Sequence, residues 1–372
     1  MSALKAAIVR AALAAGAGAV RVCGAEPDER ERARLEAAFG RGDVATWPYG
    51  AARARAATDP ATLLPGARSV VCLALPYATA PPAARPPLSG RVSNYAWADD
   101  YHRRLRALAG VVAAALDEAA GAAATRIVCD TAPLAERAFA VRAGLGWAGK
   151  HTGVIAPGLG SYVFLAEVVT TLALPPDPPL KKTCGACRRC VDACPTGALR
   201  GDYTMDATRC ISDLTQRRDA IPRALRPLMG DWVWGCDLCN EACPPSRLAG
   251  RNGAPEFAPA SVAAAFPDLQ SLLRLRGRAF GRAYGAGAMG WRGAGVLRRN
   301  AAVALGNALD RAAVPALEAA LEGDPQALVR GHAAWALGRI GSPRALASLE
   351  SALGRERDSS VREEIAAALG RS

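Results

Sequence analysis

The segment from Cys184 to Pro244 constrains this chain more than any other, because it holds eight of the eleven cysteines at metal-ligand spacing. It reads Cys184-x2-Cys187-x2-Cys190-x3-Cys194-Pro195, then a lone Cys210, then Cys236-x2-Cys239-x3-Cys243-Pro244. The first run has the bacterial ferredoxin spacing, in which three thiolates hold three corners of a 4Fe-4S cube and the fourth, before proline, ligates a second cube. The second run is the same motif with Val233 where its first cysteine would stand, and Cys210 substitutes for it. Crossing the fourth ligands puts one cube on Cys184, Cys187, Cys190 and Cys243, and another on Cys194, Cys210, Cys236 and Cys239. Zinc sites also use Cys-x2-Cys pairs, but they have no use for the x2-x2-x3-Pro run.

At 372 residues the chain is long enough for two or three domains, each with its own core. Half of it is apolar, yet no uninterrupted apolar run reaches the roughly 18 residues that span a membrane. The stretch Ala11 to Val20 is too poor in large side chains to be a signal-peptide core, so free thiols imply a reducing, cytoplasmic setting. A net charge of +12 favours a polyanionic partner through counterion release, although an arginine-rich surface alone would also produce it.

Along the chain, residues 3–20 and Glu29 to Phe39 read as surface helices, and a basic patch at Arg53 and Arg55 follows Trp47-Pro48-Tyr49. Ser69 to Tyr77 is a buried strand by its apolar, β-branched run. Asp99-Asp100-Tyr101-His102 opens a long helix ending near Ala120, and His102 reads as a structural histidine more than as a ligand. Arg126 to Thr131 is a strand ending at Asp130. That carboxylate either caps the helix opened by Pro133 to Arg137 or points into the ligand crevice of an open α/β sheet. Gly144 to Lys150 places three glycines around Trp147, where backbone could approach a flat ligand; no Ser or Thr follows Lys150, which excludes a Walker A loop. Val154 to Ala156 and Ser161 to Thr171 read as a hairpin turning at Pro157 to Gly160.

Residues 271–300 carry seven arginines and no acid, interleaved with Phe280, Tyr284 and Trp291. Such a segment suits phosphate contact, with Arg274, Arg276, Arg278, Arg298 and Arg299 as the candidates; a solvated basic face is the alternative. Ala-Leu-Gly then recurs every 32 residues, at Ala304, Ala336 and Ala368, preceded by Arg299, Arg330 and Arg362. A period of this size with paired helices predicts an α-solenoid of HEAT type. The fold class expected is multidomain α+β. Residues 1–178 form an α/β domain, 179–255 a two-cluster ferredoxin-like domain, 256–298 a basic helical connector and 299–372 the HEAT-like repeats.

Together these residues resemble the epoxyqueuosine reductase family, cobalamin-dependent iron-sulfur enzymes of queuosine biosynthesis. Besides the eight cysteines, the resemblance rests on Tyr95 with Asp100-Tyr101-His102, on Asp130-Thr131-Ala132-Pro133-Leu134-Ala135-Glu136-Arg137, on Gly144 to Lys150 and on Gly160-Ser161. Cys194-Pro195-Thr196-Gly197-Ala198, Gly235 to Cys239, Arg299-Asn300-Ala301 and Leu305-Gly306-Asn307 extend it over nearly the whole chain. It implies that Asp130 is the proton donor, with a pKa raised by burial or a nearby negative charge. It implies two 4Fe-4S clusters and cobalamin held without a protein histidine on cobalt, with Arg55, Tyr95, Thr152, Val154, Ser161 and Asp237 around the corrin. The implied partners are a tRNA whose anticodon loop bears epoxyqueuosine, and an external electron donor such as a flavodoxin or ferredoxin system. No membrane is involved, and a monomer is expected. His151, Asn240 and Pro245-Ser246 depart from the family pattern. Two rival readings remain. A reductive dehalogenase-like corrinoid enzyme would leave the arginines and repeats unexplained. A non-enzymatic ferredoxin module on an RNA-binding scaffold would bind no corrinoid.

Overall fold

Ser69–Pro76 is apolar at every position but the first, so it can stand only where both faces of a strand are covered. The computed structural model describes residues 3–371. Its strands in chain order are β1 Ala19–Gly24, β2 Ser69–Pro76, β3 Arg91–Val92, β4 Thr125–Val128, β5 Trp147–Ala148, β6 Val154–Ile155, β7 Val163–Thr170 and β8 Trp232–Trp234. The described chain forms two compact units, each discontinuous in sequence, and these do not follow the contiguous boundaries expected. The first holds the chain up to Thr79, Asp100–Thr208 and Leu238–Phe257; the second holds Ala80–Asp99, Arg209–Asp237 and everything from Ala258.

The first unit is built on a four-stranded sheet in the order β1-β2-β7-β4, antiparallel throughout. Alternation along β2 sends Val70, Cys72 and Ala74 into a cluster with Phe139 and Ala140 of α5, Glu136–Arg142. The opposite face meets α4, Tyr101–Ala120, which buries Leu105, Leu108, Val112 and Leu116. Asp100 caps α4 by accepting the His102 N–H, and Gly121 ends it in the left-handed region at φ 68°. Helix α1, Ala3–Ala14, buries Lys5, Ile8 and Ala12 and packs on α4, whereas α2, Glu29–Gly40, buries nothing. Only the second is the free surface helix expected.

Two sequence expectations change here. The crevice argument for Asp130 requires parallel strands, and this sheet has none. The expected hairpin also divides. Its turn closes through an Ala156–Gly160 bridge, but β7, apolar on both faces, takes a central place between β2 and β4, leaving β6 to pair with β5.

In the second unit β3 and β8 form a short parallel pair, and five helices from Ala294 to Ala368 stack as the repeats. The repeated glycines explain the recurring tripeptide: a Cβ on Gly306 would lie 2.8 Å from Ala336 Cα, and one on Gly338 2.6 Å from Ala368 Cβ. Each glycine therefore receives the alanine of the next repeat. The repeated arginine is Arg298 rather than Arg299, since Arg298, Arg330 and Arg362 share the 32-residue spacing. Arg298 pairs with Asp324 and Arg330 with Glu356, each 26 residues on, stapling successive repeats.

That geometry corrects two of the five arginines expected to meet tRNA. Arg298 is buried and ion-paired to Asp324 at 2.8 Å. Arg299 is fully buried, its guanidinium spent on Leu214, Arg217 and Asp219 carbonyls and on Asn300. Net charge along a segment cannot separate arginines that face water from arginines that hold a core. Arg274, Arg276, Arg278 and Arg282 are exposed, and Arg276 also reaches Asp324 at 2.9 Å.

Candidate active site

A cleft of about 830 Å³ opens in the first unit, within the size range of cofactor sites. Its wall includes Trp47, Tyr49, Arg53, Asp130, Glu136, Arg137, Thr152, Val154 and Met205. Three residues lining it hold backbone that non-glycine residues seldom adopt, Asp130 at φ 53°, Thr152 at φ 65° and Tyr203 at φ 68°. For β-branched Thr152 this is a true outlier, and such strain gathers at functional sites.

Asp130 sits just beyond β4 with 56 % of its side chain exposed. Tyr101, at the start of α4, donates its hydroxyl to Asp130 Oδ2 at 2.7 Å, and its ring is fixed by stacking on Phe164 and His102 at 4.3 Å each. His102 Nε2 stands 3.4 Å from the same oxygen, long for a hydrogen bond but close for an ion pair, while Nδ1 meets Asp100 Oδ1 at 2.6 Å. The two carboxylates, Asp130 first, raise the His102 pKa, while His102 and Tyr101 hold Asp130 below the usual carboxylate range. The expected upward shift of Asp130 is thus reversed. Burial does push it up, but the imidazolium and phenol outweigh burial. The proton of this pair rests on His102.

The remaining corrin candidates fall into four situations. Thr152 and Val154 line the cleft, and Thr152 O accepts from Arg137 at 3.1 Å. Arg55 does not line it; it is exposed, and Arg53, which packs over the Tyr49 ring at 5.0 Å, takes that wall instead. Helical phase could have indicated this, because Arg53 shares a face with Ala57, another lining residue. Ser161 is a tie: its hydroxyl meets Asn240 Oδ1 at 2.9 Å and Ser246 Oγ at 2.7 Å. Two of the departures from the family pattern therefore meet on one serine. In the second unit, buried Asp237 accepts from Ser93 Oγ and the Asn94 N–H, both at 2.7 Å, beside Tyr95 and the Gly235 turn.

The glycines of the 144–150 run serve the chain's own packing. A Cβ on Gly144 would lie 2.2 Å from Pro178 O, one on Gly146 2.5 Å from Ile155 O, and one on Gly149 against the His151 ring. His151 is buried, its Nδ1 accepts the Gly153 N–H at 3.0 Å, and its Nε2 has no partner among the described residues. Burial, helped by the charge of Arg137, pushes its pKa down from 6.5 to about 4. The unfolded chain then takes up this proton first as pH falls, so the stability is complete above about 6.5 and drains away toward about 4. The full loss is about 3 kcal/mol. Urea midpoints of the wild type should drop across that window, and His151→Asn should flatten the drop; an equal drop in both would remove His151 as the cause.

Cys243 packs with Trp147 and Ile155 beside Cys184, and Cys184 and Cys187 both act on its ionisation. Burial, then the charges of Cys184 and Cys243, push the Cys190 thiol up to about 11. Cys190 and Cys243, whose ionisation burial and neighbouring cysteines oppose, suit a positive metal core, which makes such thiolates stable. Among the described residues no three His, Cys, Asp or Glu side chains converge on a single ion, and a cube is held at four separate corners. Of the other four, Cys194 and Cys239 belong to the first unit, Cys210 and Cys236 to the second.

Comparison with known proteins agrees with this organisation. Residues 58–131 match the family described as "Epoxyqueuosine reductase QueG, DUF1730", residues 183–246 match "4Fe-4S double cluster binding domain" and residues 294–370 match "HEAT repeats". An epoxyqueuosine reductase of Bacillus cereus is 36 % identical over 277 residues, 73 % of either chain. A solved epoxyqueuosine reductase bound to an epoxyqueuosine-modified tRNA-Tyr stem loop is 33 % identical, with TM-score 0.91, over 99 % of this chain and 98 % of that one. Another, from Bacillus subtilis, is described with its catalytic aspartate loop swung out of the active site; it is 32 % identical, with TM-score 0.90 and the same coverage. The chain belongs to the epoxyqueuosine reductase family.

Proposed function

We propose that this protein reduces epoxyqueuosine to queuosine in the anticodon loop of tRNA. The observation that carries the reading is the Tyr101–His102–Asp130 constellation on an open cleft, in a chain similar over its whole length to an epoxyqueuosine reductase with modified tRNA bound. Removing the epoxide oxygen as water consumes two electrons and two protons and leaves a carbon-carbon double bond. Asp130 supplies a proton to the departing oxygen, and His102 refills Asp130. The rise of the Asp130 pKa that this transfer needs comes with substrate, which covers the half-exposed carboxyl and excludes water.

Cobalamin, fed single electrons by two 4Fe-4S clusters, supplies the reducing power when bound. The cleft suits a broad flat group: Thr152, Val154, Gly149 and Arg53 line it. No described histidine is free to ligate cobalt as an exposed imidazole, since His102 is paired, His151 is buried and His332 is buried against Ile221 N–H. One cube uses Cys184, Cys187, Cys190 and Cys243. The spacing assigns the other to Cys194, Cys210, Cys236 and Cys239. A flavodoxin-like or ferredoxin-like donor delivers electrons in the cytoplasm to a monomer. Among the described residues no helix is long and apolar enough to cross a membrane.

The direct test is anaerobic conversion of epoxyqueuosine-bearing tRNA by protein carrying both clusters and added cobalamin, read by nucleoside mass spectrometry. Loss of the substrate with gain of queuosine is expected; clusters present with neither corrinoid binding nor conversion would overturn the reading. For tRNA contact, Arg274→Ala with Arg278→Ala should weaken binding and lower the slope of log affinity against log salt by about 2. An unchanged slope would leave those arginines as a solvated face.

A further inference from the structure

Behind Asp130 lies a second acidic centre that the reduction leaves unused. Glu167 stands in the middle of β7, opposite Cys72 of β2 and Val128 of β4, fully buried in an apolar sheet. An ionised carboxylate there would cost several kcal/mol without a counter-charge, so Glu167 is held protonated. Its nearest acid is Glu136, at the start of α5. The two carboxyls act on each other's ionisation, and the Glu167 oxygens make no hydrogen bond with any described group. Glu136 Oε1 in turn accepts the backbone N–H of Asp130 at 2.6 Å. Asp130 is the residue whose backbone lies in the left-handed region, so an outside restraint is needed to keep it there.

The geometry points to a latch: Glu136 is a positioning residue that holds the Asp130 loop in the cleft through the Glu136–Asp130 N–H bond, with the buried Glu167 behind it. This rests on the reading of Asp130 as the proton donor, and it concerns the loop that its Bacillus subtilis relative is described with swung out. With one proton the pair is an anion, and its bond to the N–H is charge-assisted. A second proton makes the pair neutral and the bond ordinary. The charges facing the pair are few: Asp130 and Cys129 follow β4, Cys72 lies on β2, Cys23 on β1, and the cation Arg137 pulls Glu136 down. Cys129 is pushed up to about 12 and Cys72 well above its usual range, so both stay neutral. Burial sets Glu136 at about 7, so the latch is closed above that pH and loosens below it.

Hydrogen exchange of the 130–137 segment, in protein carrying its clusters and corrected for intrinsic rates, reads the latch without turnover. Exchange should be about fivefold faster near pH 6 than near pH 8, the difference between a charged and a neutral acceptor. Glu136→Gln keeps an oxygen but no charge, so its exchange should be fast and equal at both pH values. Glu167→Gln leaves a neutral group beside Glu136 and its burial unchanged, so exchange should keep the wild-type pH dependence. Turnover should follow as lower kcat near pH 6 with unchanged KM for tRNA. Equal wild-type exchange at both pH values, or a pH dependence surviving in Glu136→Gln, would overturn the latch. Failure of the functional reading looks different: the wild type would then show no conversion of epoxyqueuosine whatever the exchange does.

Discussion

Asp130→Asn is expected to lower epoxyqueuosine turnover by at least about 100-fold, the usual contribution of a positioned proton donor, while cluster absorbance and tRNA affinity stay at wild-type level. Asparagine is the appropriate replacement because it changes little else. It is one of the few residues that tolerates the left-handed backbone found here, and its amide oxygen can still accept from Tyr101. It cannot carry the proton. A companion pH profile tests where that proton waits. His102 is raised by its two carboxylates and Asp130 is lowered, so the pair holds a proton below the His102 pKa and loses it as pH rises through that value, above 6.5. Turnover should therefore fall on the alkaline side, and His102→Asn should shift that limb. Near-normal turnover by Asp130→Asn would show that another group donates to the oxygen.

The alkaline limb and the latch act in opposite directions as pH rises. Below about 7 the neutral Glu136–Glu167 pair loosens the loop; above the His102 pKa the proton is gone. The two together give a bell whose acid side belongs to position and whose alkaline side belongs to charge. Glu136→Gln should remove only the acid side.

What was legible in the sequence was whatever depends on neighbours along the chain. Cysteine spacing indicates a cube because its three corners come from one short loop, and a 32-residue period indicates a solenoid because each repeat meets the next in order. Asp130 was visible only through its motif. Its charge state was not, because the groups that set it arrive from another element: Tyr101 lies 29 residues away and owes its place to Phe164 on β7. Glu167 looked like one polar letter in an apolar strand, and only pairing between β2 and β4 shows that no water reaches it. The discontinuous units were hidden for the same reason. The sharpest miss is one residue wide: Arg298 staples a repeat while Arg299, about 100° around the helix, turns to a different interior.

Arg299→Ala is expected to destabilise the protein by about 3–5 kcal/mol while leaving the salt dependence of tRNA binding untouched. Among the described residues no carboxylate pairs with this buried cation directly. Its donors go to the Leu214, Arg217 and Asp219 carbonyls at 2.7–2.8 Å and twice to Asn300 Oδ1 at 2.7 and 3.0 Å. Burial pulls its pKa down from 12.5 to about 9, with Arg217 and Arg226 adding to the pull, and it still carries its charge at neutral pH. Removing the side chain leaves three carbonyls and an amide oxygen without donors in a dry interior, beside Asn300, which itself ties Thr215 and Val233. Lysine should rescue only in part, because three donors on a point charge cannot reproduce a planar fork of five. Arg274→Ala, on the exposed face, is the matched control and should leave the urea midpoint unchanged. If Arg299→Ala unfolds where the wild type does and instead lowers the tRNA salt slope, Arg299 belongs to the nucleic-acid surface and the buried fork is wrong.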